Sequence, residues 1–253
     1  MSIRETWIAS GLNEHAVVAG DMATNFWREE ANFGEERAGI CGPHTEVFYD
    51  RGEAFGCMQD MCGPHCQCGR FLEIANIVFI TARQQANGRF VGLTRPLVAC
   101  GLGIEWIAMI LQLVLSIWEV DSVVPLLEWI KEKAMCPSGT DDVITGSSSP
   151  AKPEQILADR VRAAVALLAD GARPGPKGRS HVVRRVFRSL WAAACNLCIS
   201  DKEIMNRLFN LALDLHYAEH NNTGMCSKKE VLFACVQELQ RLNKYNTIIR
   251  KAL

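Results

Sequence analysis

A low-complexity break at residues 138–153 limits what this chain can fold into more than any other feature. It contains Ser138-Gly139, then Gly146-Ser147-Ser148-Ser149-Pro150, and closes on Pro153. A stretch so rich in turn formers continues neither a strand nor a helix. Before it, residues 70–80 read RFLEIANIVFI, a nearly continuous apolar run that predicts a strand in the middle of a sheet. Residues 45–50 predict a shorter strand closed by the turn at Arg51-Gly52, and 96–100 a third that runs into Gly101-Leu102-Gly103. The rest of 1–70 reads as loops. An apolar helix is expected from 103 to about 116, and another over 123–133.

After the break every pattern is helical. Pro153 suits the first turn of a helix through 169, with Val161, Val165 and Leu168 on one face. The stretch 170–178 carries three glycines and two prolines and breaks the chain before a second helix over 180–199. Ser200 with Glu203, and Ser227 with Glu230, each have the form of a capping box and open two more helices. The fold class is therefore α+β, with a strand-bearing domain over 1–136, a linker over 137–152 and an all-helical domain over 153–253.

Hydrophobic residues make up 49% and charged residues 22% of 253, a balance that excludes wholesale disorder. The formal charge of −1 conceals an asymmetry. Residues 1–150 hold 10 Lys/Arg against 19 Asp/Glu, net −9, and 151–253 hold 17 against 9, net +8. Such a split predicts an acidic body and a basic module that meets phosphate. Between 160 and 188, Arg160, Arg162, Arg173, Lys177, Arg179, Arg184, Arg185 and Arg188 are opposed by Asp170 alone. Arg184 and Arg188 stand four apart with Arg185 close by, a spacing that makes a stripe for phosphates; a solvated helix face is the bland alternative.

The apolar stretch 104–118 is interrupted by Glu105, Gln112 and Ser116 and is too short to span a bilayer. The N-terminus lacks the apolar core of a signal peptide. With no export signal, the eleven cysteines are expected to be reduced thiols in a cytoplasmic protein. Cys57, Cys62, His65, Cys66 and Cys68 cluster in one glycine-rich loop, with Cys41 and His44 upstream. Four soft ligands there, Cys57, Cys62, His65 and Cys66, could close a tetrahedral zinc site. The spacing C-x4-C-x2-H-C-x-C matches no recognised pair of knuckles, so a metal-free thiol loop stands beside it.

Four strings in the first part carry a family resemblance. Asn25-Phe26-Trp27, the run from Cys41 to Asp50, the run from Phe71 to Phe79, and Gly101-Leu102-Gly103-Ile104-Glu105 resemble NFW, CGPCxExxYD, LEIWNLVF and DTGMGLER of alanyl-tRNA synthetases. In the helical part Ala158-Asp159-Arg160-Val161-Arg162, Ala169-Asp170-Gly171, Pro174 and the run from Gly178 to Arg185 resemble ADHIR, ADG, P and GRGYVLRR. The resemblance extends from about Trp7 to Leu239. It implies a partial class II synthetase antiparallel sheet followed by a helical tRNA-binding bundle, and ATP-dependent attachment of an amino acid to tRNA. It further implies ATP and Mg2+ held around Glu73, Asn76, Gly101, Gly103 and Glu105. The tRNA would lie along Arg160, Arg162, Lys177, Arg179, Arg184, Arg185 and Arg188. No zinc is implied in this part of the family.

The departures are as informative. The chain begins after the segments that hold the family's motifs 1 and 2. Motif 3 ends Glu-Arg in the family, its arginine pairing with the γ-phosphate, whereas Glu105 is followed by Trp106. Ala99 stands where an aspartate would hold the substrate's ammonium group, Ala75 replaces the aromatic wall, and Pro176 replaces an asparagine that reads the acceptor stem. The expectation is a degenerate enzyme, or one that needs a partner chain for motifs 1 and 2, or a homodimer that covers its open sheet edge. A non-catalytic tRNA-binding module is one alternative, and a paralogue recruited to small-molecule biosynthesis another. Strict alternation along a strand also sends Glu73 and Asn76 to opposite faces, so a local irregularity must bring them together.

Overall fold

The computed structural model describes residues 2–29, 39–59, 62–64, 66–136, 151–219 and 226–252. They divide into two compact units, Met1–Ile107 and Ala108–Leu253. The α+β class is as expected; the linker expected over 137–152 lies almost wholly outside the described residues.

The first unit holds a short helix, α1 (Ile3–Ala9), and four strands: β1 (Phe26–Arg28), β2 (Gly39–Asp50), β3 (Phe71–Gln84) and β4 (Phe90–Leu102). They form one antiparallel sheet in the order β1-β2-β3-β4. The apolar run at 70–80 makes β3 an inner strand, with Leu72, Val78 and Ile80 buried. Among the described residues β4 pairs only with β3, and its Leu97, Val98 and Leu102 are more than half exposed.

β2 is twice the length the sequence predicts, because it continues through Gly42-Pro43. A register shift between Cys41 and His44 accommodates the proline, which cannot donate to a regular ladder. At Gly42 a Cβ would stand 1.8 Å from the carbonyl oxygen of Phe79 on β3. That neighbour is backbone and cannot swing aside. Gly42→Ala is expected to cost about 3 kcal/mol, the upper range for overpacking, read as a lowered urea midpoint.

The second unit is helical. α2 (Ile104–Leu111) crosses the boundary, and α3 (Val124–Lys133), α4 (Pro153–Ala169), α5 (Gly178–Asn196), α6 (Lys202–Glu219) and α7 (Lys228–Ala252) follow. α4 is the hub, its Leu157, Val161, Val165 and Leu168 sealed from solvent among Phe187, Leu190, Phe209 and Val231. The helix expected at 123–133 forms as α3, but its Leu126, Leu127 and Ile130 join this helical core. A polar break in sequence is not a break in packing, since the apolar face of α3 needs helices to bury it. α2 stops short of 116 because Leu113 takes a left-handed conformation, φ 55°, and Ser116 starts a separate turn.

The caps divide. Ser227 and Glu230 satisfy each other's backbone N–H groups at the start of α7, as the capping-box pattern predicts. At α6 Asp201, not Ser200, accepts from the N–H groups of Glu203 and Ile204. The expectation that all eleven cysteines are free thiols is corrected at one pair. Cys136 and Cys198 form a disulfide, Cα–Cα 5.7 Å, tying the chain after α3 to the end of α5. Local composition does not reveal it, because the partners are 62 residues apart.

Candidate functional site

One sheet face gathers most of the residues expected around a nucleotide. The register places Asn76 of β3 between Glu46 of β2 and Gly101 of β4, and Val78 between His44 and Ala99. Directly paired residues share a face. Glu73 joins them through an irregularity in β3: Val47 pairs with Ala75 but Phe48 pairs with Glu73, leaving Ile74 as an extra residue. This bulge restores Glu73 to the side of Asn76. The Asn76 amide donates to Glu73 Oε1 at 3.3 Å, and the freed carbonyl of Ile74 accepts from the N–H of Gly103 at 2.9 Å. The conflict with strict alternation is thereby resolved.

The face carries unspent polar capacity. Asn76 Oδ1 and His44 Nδ1 are buried and have no hydrogen-bond partner among the described residues, a costly arrangement in an interior that stays dry. His44 Nε2 lies 3.0 Å from Glu46 Oε1. Glu46 was not singled out from the sequence, although it stands two residues from His44 and so on the same strand face. Glu73, Glu46 and Asn76 offer the oxygen-rich surroundings that a hard cation prefers.

The two glycines differ. Gly101 lies in extended β4, and a Cβ there would meet nothing within 4 Å. Nothing among the described residues therefore demands glycine at 101. At Gly103 a Cβ would stand 2.7 Å from Trp106 Cδ1, a ring atom near the root of that indole, so the Trp106 ring would have to turn aside. Glu105 sits in the first turn of α2 with Trp106 after it.

The basic residues sort into distinct environments. Lys177, Arg179, Arg185 and Arg188 are exposed. Arg184 is not on the open stripe: it is half-buried, 4.0 Å from the buried carboxylate of Glu238 on α7, which Arg241 also holds at 2.5 and 2.7 Å. Arg173 is spent on the carbonyls of Leu168 and Ala172, closing the end of α4. Arg160 pairs with its neighbour Asp159 at 2.9 Å, and Arg162 is half-buried on α4.

The cysteine loop between β2 and β3 is also drawn together. Cys57 and Cys66 sulfurs are 3.6 Å apart, Cys62 and Cys68 3.7 Å, and all four lie within 4.8 Å of one another. His65, expected as a fourth ligand, lies outside the described residues; Cys68 occupies the fourth corner. The backbone N–H of Arg70 holds the Cys68 thiol down to about 7. Of the upstream candidates, Cys41 is buried and directed at the carbonyl of Ala82, while His44 belongs to the sheet face described above.

Residues 2–243 match the family described as tRNA synthetases class II (A). The chain belongs to that family. It is 34% identical over 182 residues to an alanine–tRNA ligase of Dehalococcoides mccartyi, covering 72% of this chain and 20% of that protein. Against the alanine–tRNA ligase of Desulforudis audaxviator it is 35% identical over 182 residues, 72% of this chain and 19% of the relative. Against that of Mycoplasmopsis synoviae it is 27% identical over 258 residues, 99% of this chain and 28% of the relative. It is an alanyl-tRNA-synthetase-like chain that spans between a fifth and somewhat over a quarter of the length of these relatives. Among the described residues no helix is long and apolar enough to cross a membrane.

Proposed function

We propose that the two units perform the binding steps of amino-acid attachment to tRNA while lacking charges that the chemistry needs. The sheet face takes Mg2+ and ATP, with Glu73 and Asn76 toward the metal and phosphates and Gly101 and Gly103 letting backbone approach the nucleoside. The helical unit takes tRNA along its phosphates. The observation that carries the nucleotide reading is the conjunction of a sterically unexplained glycine at 101 with the unpartnered Asn76 Oδ1 directly across from it.

Activation of an amino acid gathers negative charge as pyrophosphate leaves, and arginines placed around it lower the barrier. Trp106 and Ala99 supply neither a phosphate-binding cation nor a carboxylate for the substrate's ammonium group. A partner chain joining at the open edge of β4 would be the source of further cations.

Gly101→Ala tests this reading. Because no described residue fills that space, the variant should melt at or slightly above the parent temperature, as alanine in a strand loses less conformational entropy than glycine. Its affinity for Mg–ATP, measured by calorimetric titration, should fall about tenfold or more, since one misplaced methyl group against a bound nucleotide is worth about 1–3 kcal/mol. Equal affinity in parent and variant, or no binding by either, overturns the nucleotide reading.

A further inference from the structure

We propose that Cys57, Cys62, Cys66 and Cys68 bind one zinc ion as a closed, structural four-thiolate site that clamps the β2–β3 connection. The geometry is close to what zinc demands. A Zn–S bond of about 2.3 Å in a tetrahedron sets sulfurs roughly 3.8 Å apart. The two short separations here are 3.6 and 3.7 Å, and no pair exceeds 4.8 Å. These distances are far too long for disulfides, whose sulfurs stand about 2.05 Å apart. As thiols the four share only weak S–H···S hydrogen bonds within the pairs Cys57–Cys66 and Cys62–Cys68; as thiolates around a dication they would be held far more strongly.

The loop has little else to hold it. Between the turn at Glu53–Phe55 and the start of β3 the described residues form no helix or strand. Met58 beside Cys57 and Gly69 beside Cys68 both take left-handed conformations, with φ 57° and 87°, which fold the ends of the loop back on themselves. The Arg70 N–H directed at Cys68 is the kind of donor that stabilises a coordinated thiolate. Below the sulfurs the loop closes where Arg70 grips Asp50 through two bonds of 2.7 Å, and the Arg51 N–H donates to the Arg70 carbonyl.

This placement gives the ion a task. Cys68 precedes Glu73 by five residues and the bulge at Ile74 by six. Fixing the loop fixes the entry of β3 and so the phase of the strand that sets Glu73 beside Asn76. Four protein sulfurs leave no open position for substrate or water, so the site does no chemistry itself.

The test starts with the full 253-residue chain purified without chelator or added metal. Elemental analysis should find about one zinc per chain, and mass spectrometry of alkylated protein should find the four thiols free of disulfide bonds. Cobalt substitution gives a second readout that does not depend on a mutant folding: four thiolates should produce intense sulfur-to-cobalt charge-transfer absorption together with tetrahedral ligand-field bands. Cys66→Ser with Cys68→Ser should lose the zinc. The single change Cys41→Ser, outside the cluster, should retain it. Zinc-free protein whose loop cysteines resist cobalt, a Cys57–Cys66 or Cys62–Cys68 disulfide in the freshly isolated chain, or iron and sulfide in place of zinc would each overturn the proposal.

Discussion

Incubated with alanine, ATP and labelled pyrophosphate, the 253-residue chain is expected to exchange label no faster than a heat-killed control. Removing one group that stabilises developing charge commonly costs about a hundredfold or more in rate. Two such positions are altered within the chain itself. Trp106 follows Glu105 at the place where the family pattern has an arginine, and Ala99 stands at the place of an aspartate. The register puts Ala99 beside Val78, on the face that carries Asn76, so its loss of charge falls on the proposed pocket. The small side chain at 99 gives the alanine ammonium group no counter-charge there, while Ala75, paired with Val47 and Leu102, lies on the opposite face of the sheet. Alanine-dependent exchange clearly above the control would overturn the degenerate reading, and exchange with a different amino acid would redirect it to a recruited paralogue.

The second expectation concerns tRNA. Arg185 and Arg188 lie three apart on the exposed side of α5, opposite its buried Val183, Phe187 and Leu190. If both meet phosphates, each releases condensed counterion on binding. The Arg185→Ala, Arg188→Ala double variant should then lower the log–log salt slope by about 2 and weaken binding about tenfold or more at low salt. The loss should be the same for tRNAs of different amino acids, because phosphate contacts position a nucleic acid without reading its bases. Arg184→Ala is the contrasting control. It faces the buried Glu238 rather than open solvent, so it should lower thermal stability with little effect on the slope. Fluorescence anisotropy from about 50 to about 300 mM salt, a range worth ~10-fold or more in affinity for several contacts, measures all three proteins. A strong preference for alanine tRNA would overturn the loss of base reading, and no binding even at low salt would return these arginines to a merely solvated surface.

Much of the helical unit was legible because its signals are local. Val161, Val165 and Leu168 recur at helical spacing, Pro153 opens α4, and Ser227 with Glu230 marks the start of α7; each depends on residues within a turn or two. The inner position of β3 was legible for a similar reason, since a run apolar on both faces has to be covered on both. The surroundings of Arg184 are not written in its local sequence. On its own helix it looks equivalent to Arg188, and only the arrival of Glu238 from α7 separates them.

The sequence by itself determined the class of the fold, the order of its elements, the family strings and the clustering of cysteines, because periodicity, turn chemistry and short motifs are written within a few residues of one another. Tertiary structure alone decided the bulge at Ile74 that places Glu73 beside Asn76, the space over Gly101 that no described residue fills, the convergence of Cys68 with Cys57, Cys62 and Cys66, and the Cys136–Cys198 bridge. Each of these depends on what a distant segment brings into contact, and a strand's phase or a thiol's partner is set by cross-chain pairing energies that no local pattern encodes.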